Sequence, residues 1–112
     1  MSAYTELNIE KGMPLVNDAM NNLKISLDFY RKNGYKCILI IHGYGSSGKG
    51  GSICNRARKW LNSQKQNKKV KSVIFGEEVS IFNDEARKLK SKYRELTNLL
   101  TVCNHGVTVV EF

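Results

Sequence analysis

Residues 36–45 read Lys-Cys-Ile-Leu-Ile-Ile-His-Gly-Tyr-Gly, a continuous apolar run that stops at a glycine-rich turn. An uninterrupted run of this kind is typical of a strand covered on both faces of a sheet. We therefore predict a central strand that ends at His42. Five of the ten residues from 43 to 52 are glycine, which indicates a loop whose backbone approaches a ligand or a neighbouring segment closely.

Helical periodicity flanks this strand on both sides. Apolar residues at helical spacing follow Pro14 and predict a helix that ends near Gly34, where glycine accepts the left-handed conformation of a helix end. After the loop, Ile53, Ala57 and Trp60 share one helical face with Leu61, which predicts a second helix that is apolar inside and basic outside. The other predicted elements are a weak strand over 7–9, a loop over 63–69, a strand over 70–75, a helix over 84–97 and a strand over 107–112. In the predicted helix over 84–97, Asn83 is the N-cap and the inward residues are Ala86, Leu89, Tyr93 and Leu96. The order β-α-β-α-β-α-β predicts an α/β fold.

The positive charge is concentrated in one part of the chain. The 112 residues carry 18 Lys and Arg against 10 Asp and Glu, a net charge of +8. Residues 29–76 contain eleven basic residues and no acidic one, so the rest of the chain has a net charge of −3. A basic surface around the glycine loop and the second helix favours a polyanionic partner. The alternative is that these charges only keep a small protein soluble.

The glycine loop has the composition of a phosphate-binding turn, because glycine admits the ligand and a helix start offers free N–H groups. Residues 43–48 match G-x-G-x-x-G, but the segment after them lacks the carboxylate that holds a dinucleotide ribose. Residues 43–49 match G-x-x-x-x-G-K, but Gly50 stands where a nucleoside triphosphatase has a Ser or Thr. The spaced cations Lys49, Arg56 and Lys59 are better suited to a phosphodiester backbone.

Several side chains near the turn are candidates for chemistry. His42 is predicted to contact a phosphate or to act as a general acid or base, and the alternative is that it only caps the strand through a backbone hydrogen bond. Tyr44 is expected to stack on an unpaired base. His105 is interpreted as a surface turn residue. The three cysteines, Cys37, Cys54 and Cys103, are interpreted as reduced structural thiols, since their spacing matches no compact zinc module.

Three segments together resemble the Smr (small MutS-related) domain. They are Ile-Ile-His-Gly-Tyr-Gly at 40–45, Arg-Lys-Trp-Leu at 58–61 and Gly-Val-Thr-Val-Val-Glu-Phe at 106–112. The resemblance implies a two-layer α/β sandwich with a mixed four-stranded sheet, similar to the C-terminal domain of translation initiation factor 3. It also implies nucleic-acid binding and, in many members, nicking endonuclease activity on DNA or RNA. By position, His42, Gly43 and Gly45 correspond to the loop of that family.

The first strand departs from the family pattern. The family usually has Leu-Asp-x-His there, whereas this chain reads Leu7-Asn8-Ile9-Glu10. A neutral amide cannot replace a carboxylate that transfers a proton or binds a metal. Glu10 remains a candidate base or metal ligand. Residues 77–103 are a second departure, which we interpret as a helical insertion before the last strand.

We predict one Smr-like domain over residues 1–112 that binds the phosphate backbone of DNA or RNA. The predicted binding residues are His42, Gly43, Tyr44, Gly45, Lys49, Arg56 and Lys59. One alternative is a nicking endonuclease that uses His42 with Glu10 or a divalent metal, and another is a protein-interaction module that uses the third helix. The chain begins without a charged-then-apolar leader and has no apolar run long enough to cross a bilayer, so we expect a cytoplasmic protein without a membrane partner. The sequence leaves the choice between DNA and RNA open, together with the oligomeric state.

Overall fold

Strands and helices alternate along the chain in the computed structural model, which describes residues 4–12, 14–43, 49–78, 84–93 and 106–112. The elements are β1 (Tyr4–Asn8), α1 (Val16–Lys32), β2 (Cys37–Ile41), α2 (Lys49–Gln66), β3 (Ser72–Phe75), a 3-10 turn (Gly76–Glu78), α3 (Asp84–Lys92) and β4 (Val107–Glu111). This order and the α/β class are those that the sequence predicts.

The four strands form one mixed sheet in the order β1-β2-β4-β3. β1 runs parallel to β2, and α1 is the crossover that a parallel pair requires. β4 runs antiparallel to both β2 and β3, with Ile40 opposite Thr108 in the first pair. β2 therefore has a neighbour on each side, which confirms the predicted central strand and the mixed four-stranded sheet.

The two faces of the sheet pack against different helices, because successive side chains of a strand point to opposite sides. Ile38, Ile40 and Val110 form one core cluster with the buried residues of α1 and α2. Leu39 and Val109 pack instead with the buried residues of α3. The two main helices and the sheet thus make the predicted two layers, and the extra helix covers the other face.

The core contains the residues that helical spacing places inward. Leu23 and Leu27 of α1 and Ala57 and Leu61 of α2 are buried. Trp60 is partly buried against the same cluster, as predicted for a packing residue. Cys37 and Cys54 are buried thiols, while Cys103 and His105 lie outside the described residues.

Some element boundaries differ from the predicted ones. Residues 63–66 belong to α2 rather than to a loop, and the Ser63 hydroxyl donates a hydrogen bond to the carbonyl of Trp60 (2.6 Å). That prediction was wrong because a polar run on the solvent side of a packed helix has no apolar periodicity to reveal it. α2 begins at Lys49, so residues 49–52 belong to the helix and not to the predicted glycine loop. α1 begins at Val16, β1 begins at Tyr4 and β3 begins at Ser72. α3 ends at Lys92, and the predicted Asn83 cap and inward Leu96 lie outside the described residues.

The end of α1 follows the prediction. Gly34 has a φ of +86°, the left-handed conformation, and its N–H donates to the carbonyl of Arg31 (3.3 Å). Among the helices of the described segments, none combines the length and the apolar composition that crossing a membrane requires.

Candidate functional site

His42 follows the last residue of β2 and is fully buried. Its backbone N–H and that of Gly43 both donate to the carbonyl of Gly106, at 3.0 and 3.1 Å. The chain therefore leaves β2 while it is still attached to the start of β4. This attachment determines where the glycine turn begins.

The imidazole of His42 is part of a directed chain of hydrogen bonds. Its Nδ1 lies 2.6 Å from the carbonyl oxygen of Gly43, which can only accept, so Nδ1 carries the proton. Its Nε2 lies 2.8 Å from Oγ1 of Thr108, and the Arg58 Nε–H donates to the same hydroxyl at 3.2 Å. In a neutral imidazole the Thr108 hydroxyl then donates to Nε2. Each group from Arg58 through Thr108 and His42 to Gly43 donates to the next.

Arg58 connects α2 to the sheet. Its Nη2 donates to the carbonyl of Val107 at 3.1 Å, and its guanidinium carbon lies 4.2 Å from the centre of the Phe75 ring. The side chain is half-buried, although helical spacing places position 58 outside the apolar stripe of α2. Sequence reasoning missed both Arg58 and Thr108 as parts of this site. The available signal was a hydroxyl residue at an inward position of an otherwise aliphatic strand.

Gly43 and Glu10 meet at the turn. Gly43 has a φ of +71°, and a Cβ there would overlap the Glu10 carboxylate, whose Cδ lies 3.0 Å from that position. The side-chain oxygen of Asn8 accepts the N–H groups of Glu10 and Lys11, both at 3.0 Å, and this turn directs Glu10 towards Gly43. Asn8 therefore has a structural role at the position where the family pattern has aspartate. The structure does bring Glu10 beside the His42–Gly43 turn, as the nuclease alternative requires.

The outward face of α2 carries the remaining predicted cations. Arg56 and Lys59 are both exposed, and Lys65 is a further exposed lysine near the end of the helix. Lys49 is the first residue of α2, so it lies where a helix N-terminus adds partial positive charge. Its side chain, together with Tyr44 and Gly45, lies outside the described residues.

Among the residues that the structure describes, no three side chains of His, Cys, Asp or Glu come together as a possible metal-binding group.

The profile of the family described as the Smr domain matches residues 11–78, more than half of the chain. The chain belongs to the Smr domain family. The matched part of this Smr domain includes the His42–Gly43 turn and all of α2, whereas Asn8, Glu10 and β4 lie outside it. Smr domains are generally nucleic-acid-binding and nuclease-like modules. No curated protein and no solved structure matches the chain.

Proposed function

We propose that this Smr domain binds the phosphodiester backbone of DNA or RNA through the turn after β2 and the basic face of α2. The observation that supports the proposal is the position of α2. The helix begins at Lys49, inside the glycine-rich stretch 43–52, carries exposed Arg56 and Lys59, and lies within the 29–76 segment that has no acidic residue.

The chemistry of this face suits a polymer of phosphates. Exposed cations gain binding free energy when they release the counterions condensed on a nucleic acid. The N-terminus of α2 adds N–H donors and partial positive charge beside the turn. These groups contact phosphates that DNA and RNA share, so they supply affinity rather than base specificity. Stacking of Tyr44 on an unpaired base stays a prediction.

Salt-dependent binding tests the proposal. Affinity for duplex DNA, structured RNA and single strands is measured at several salt concentrations for the wild type and for the double variant R56Q/K59Q. Loss of two phosphate contacts should weaken binding and reduce the slope of log K against log salt by about 1.8 for duplex DNA. The matched control is K32Q/K36Q, which removes the same charge from exposed lysines at the end of α1 and before β2. The variant K49Q tests Lys49 separately.

Two results would contradict the proposal. One is wild-type binding that is absent or does not depend on salt. The other is a binding curve of R56Q/K59Q that coincides with that of K32Q/K36Q, since the basic face of α2 would then supply no specific contact.

A second candidate function is phosphodiester cleavage, which the position of Glu10 beside Gly43 favours. In this reaction the Glu10 carboxylate takes a proton from water, the water oxygen bonds to phosphorus, and the P–O bond to the leaving oxygen breaks as that oxygen gains a proton. His42 is buried and both its ring nitrogens are hydrogen-bonded within the protein, so proton transfer by His42 requires Nε2 to leave Thr108. Glu10 is partly exposed and is the more accessible base.

The cleavage test compares the wild type with E10Q and H42Q on supercoiled plasmid and structured RNA, with magnesium and with chelator. E10Q keeps the shape of the side chain and removes the base, so nicking should disappear in it. A wild type that cuts neither substrate, or an E10Q variant that cuts as well as the wild type, rules out this role of Glu10.

No observation favours a protein-interaction surface on α3. In the described part of that helix the apolar residues Ala86 and Leu89 are buried against the sheet. The exposed side chains there are Glu85, Arg87, Lys88 and others of polar type.

A further inference from the structure

A groove lies between α3 and the neighbouring ends of β3 and β4. It encloses about 700 Å³, and its lining includes Lys71, Ser72, Lys88, Ser91, Lys92 and Glu111. Glu111 pairs with Cys37, the first residue of β2, whereas His42 follows the last residue of that strand. The groove is therefore at the opposite end of the sheet from the glycine turn, and it opens on the α3 face.

A buried carboxylate organises the groove. The Glu111 side chain is 7% exposed, and its Oε2 accepts hydrogen bonds from Nζ of Lys92 at 2.8 Å and from the hydroxyl of Tyr93 at 3.2 Å. Its Oε1 lies 3.9 Å from Nζ of Lys71. The two lysine side chains are 54% and 64% exposed, so their ammonium groups meet the carboxylate and water together. The hydrogen bond with Glu111 raises the pKa of Lys92, which keeps that ammonium charged.

The side chains of the groove have more hydrogen-bond donors than Glu111 accepts. An ammonium has three N–H donors, and the carboxylate of Glu111 takes one from Lys92. Lys88 lies one helical turn before Lys92 on the same edge of α3, and Ser72 and Ser91 add hydroxyl donors. The lining also includes Glu85, so it holds three lysines against two carboxylates, a net charge of +1 (3 − 2).

Basic residues continue along the chain from α2 to the groove. The helix has 18 residues and is therefore about 27 Å long, and it carries the chain from the glycine turn to the other end of the sheet. In chain order, exposed Lys65, Lys68 and Lys69 lie between Lys59 and Lys71. The backbone N–H of Lys71 donates to the carbonyl of Glu111 at 2.7 Å, which attaches this part of the chain to β4.

We propose that the α3 groove is a second phosphodiester contact, in which Lys71, Lys88 and Lys92 bind the backbone of a nucleic acid that crosses the C-terminal end of α2. Glu111 is a positioning residue that holds Lys92 and Lys71 at the groove. The proposal extends the proposed function, because it assumes the same class of ligand. Because α2 and α3 pack on opposite faces of the sheet, a ligand that contacts both surfaces has to pass the edge strand β3, which an extended polymer can do and a single nucleotide cannot.

The test uses the intact chain and the double variant K71Q/K88Q, which leaves the bond between Lys92 and Glu111 in place. Binding of a duplex of about 20 base pairs, roughly 68 Å long at 3.4 Å per base pair, is compared with that of R56Q/K59Q and of the control K32Q/K36Q. K71Q/K88Q should reduce the salt slope by about 1.8, and the combination of the four substitutions at 56, 59, 71 and 88 should reduce it by about 3.6. Unfolding in urea checks that every variant is folded.

The outcomes separate this proposal from the proposed function. If R56Q/K59Q weakens binding and K71Q/K88Q matches the control, the groove proposal is overturned and the α2 face stands. If only K71Q/K88Q weakens binding, the groove is supported and the α2 face is refuted. If the wild type does not bind, both are overturned. A parallel titration with inorganic phosphate, followed by amide shifts of Ser72 and Ser91, identifies a small phosphorylated ligand. The groove proposal is also overturned if inorganic phosphate shifts these amides while K71Q/K88Q leaves the salt slope of duplex binding unchanged.

Discussion

The substitution Thr108→Val removes the one hydroxyl that connects His42 to Arg58. Valine has nearly the shape of threonine, so the packing of β4 between β2 and β3 is kept while the hydroxyl becomes a methyl group. Thr108 and His42 are both fully buried, so water does not replace the lost bonds without a local opening. Nε2 of His42 and Nε of Arg58 then each lose the hydrogen bond to Oγ1.

The expected loss of stability follows from these two groups. Removal of one partner of a buried hydrogen bond costs about 1–3 kcal/mol, which applies to the bond between Oγ1 of Thr108 and Nε2 of His42. Arg58 is half-buried and keeps its bond to the carbonyl of Val107, so its contribution is about 1 kcal/mol. We therefore expect Thr108→Val to lower the free energy of unfolding by about 2–4 kcal/mol, a large part of the stability of a small domain.

The assay is equilibrium unfolding in urea, with Thr108→Ser as the matched control. Serine keeps the hydroxyl and loses one methyl group, which costs about 1 kcal/mol. The Thr108→Val variant should therefore unfold at the lower urea concentration, and the ¹⁵N shifts of the His42 ring should change in it alone. If both variants have equal stability, the hydrogen-bond chain contributes nothing and the reasoning is refuted.

Two further predictions concern the turn and the buried tyrosine. Gly43→Ala should destabilise the domain by about 1–2 kcal/mol in urea unfolding, because alanine is strained at a φ of +71°. The same substitution made in a Glu10→Ala background should cost the same free energy, since the Glu10 side chain of the wild type can rotate away from the added Cβ. A full rescue by Glu10→Ala would assign the cost to the clash instead. Burial, followed by the neighbouring Glu111 carboxylate, raises the pKa of Tyr93 to about 12. Because the folded-state pKa is above the ordinary value of 10.0, the stability it contributes is complete below pH 10 and is lost as the pH rises through 12, by up to about 3 kcal/mol. Tyr93→Phe should flatten that loss in urea unfolding between pH 8 and 11.5, and an unchanged profile would contradict this assignment.

The sequence predicted the exposed basic face of α2, but it did not predict the role of Arg58. Arg56, Arg58 and Lys59 all fall outside the apolar stripe of α2, so periodicity assigns them to one outward surface. Only the packed structure separates them, because Arg58 reaches over Phe75 to the carbonyl of Val107 while the other two stay exposed. A long side chain at the border of a helix face has no periodic signal for its direction.

The groove next to α3 could not be predicted from the sequence, for a related reason. Lys71, Lys92 and Glu111 are far apart in the chain, and they meet only because β3 pairs with β4 and α3 packs across them. The sequence pattern showed an amphipathic helix with lysines outside. It contained no signal for the carboxylate that those lysines would meet.

The sequence by itself determined the alternation of strands and helices, the buried central strand, the basic segment from 29 to 76 and the family. Each of these follows from local composition and spacing, which the chain carries wherever it folds. The tertiary structure alone decided that His42 is buried with both ring nitrogens hydrogen-bonded, that Glu10 lies beside Gly43, and that Glu111 forms ion pairs with two lysines. Those contacts depend on strand order and register, which bring together residues that are distant in the chain and that no local pattern relates.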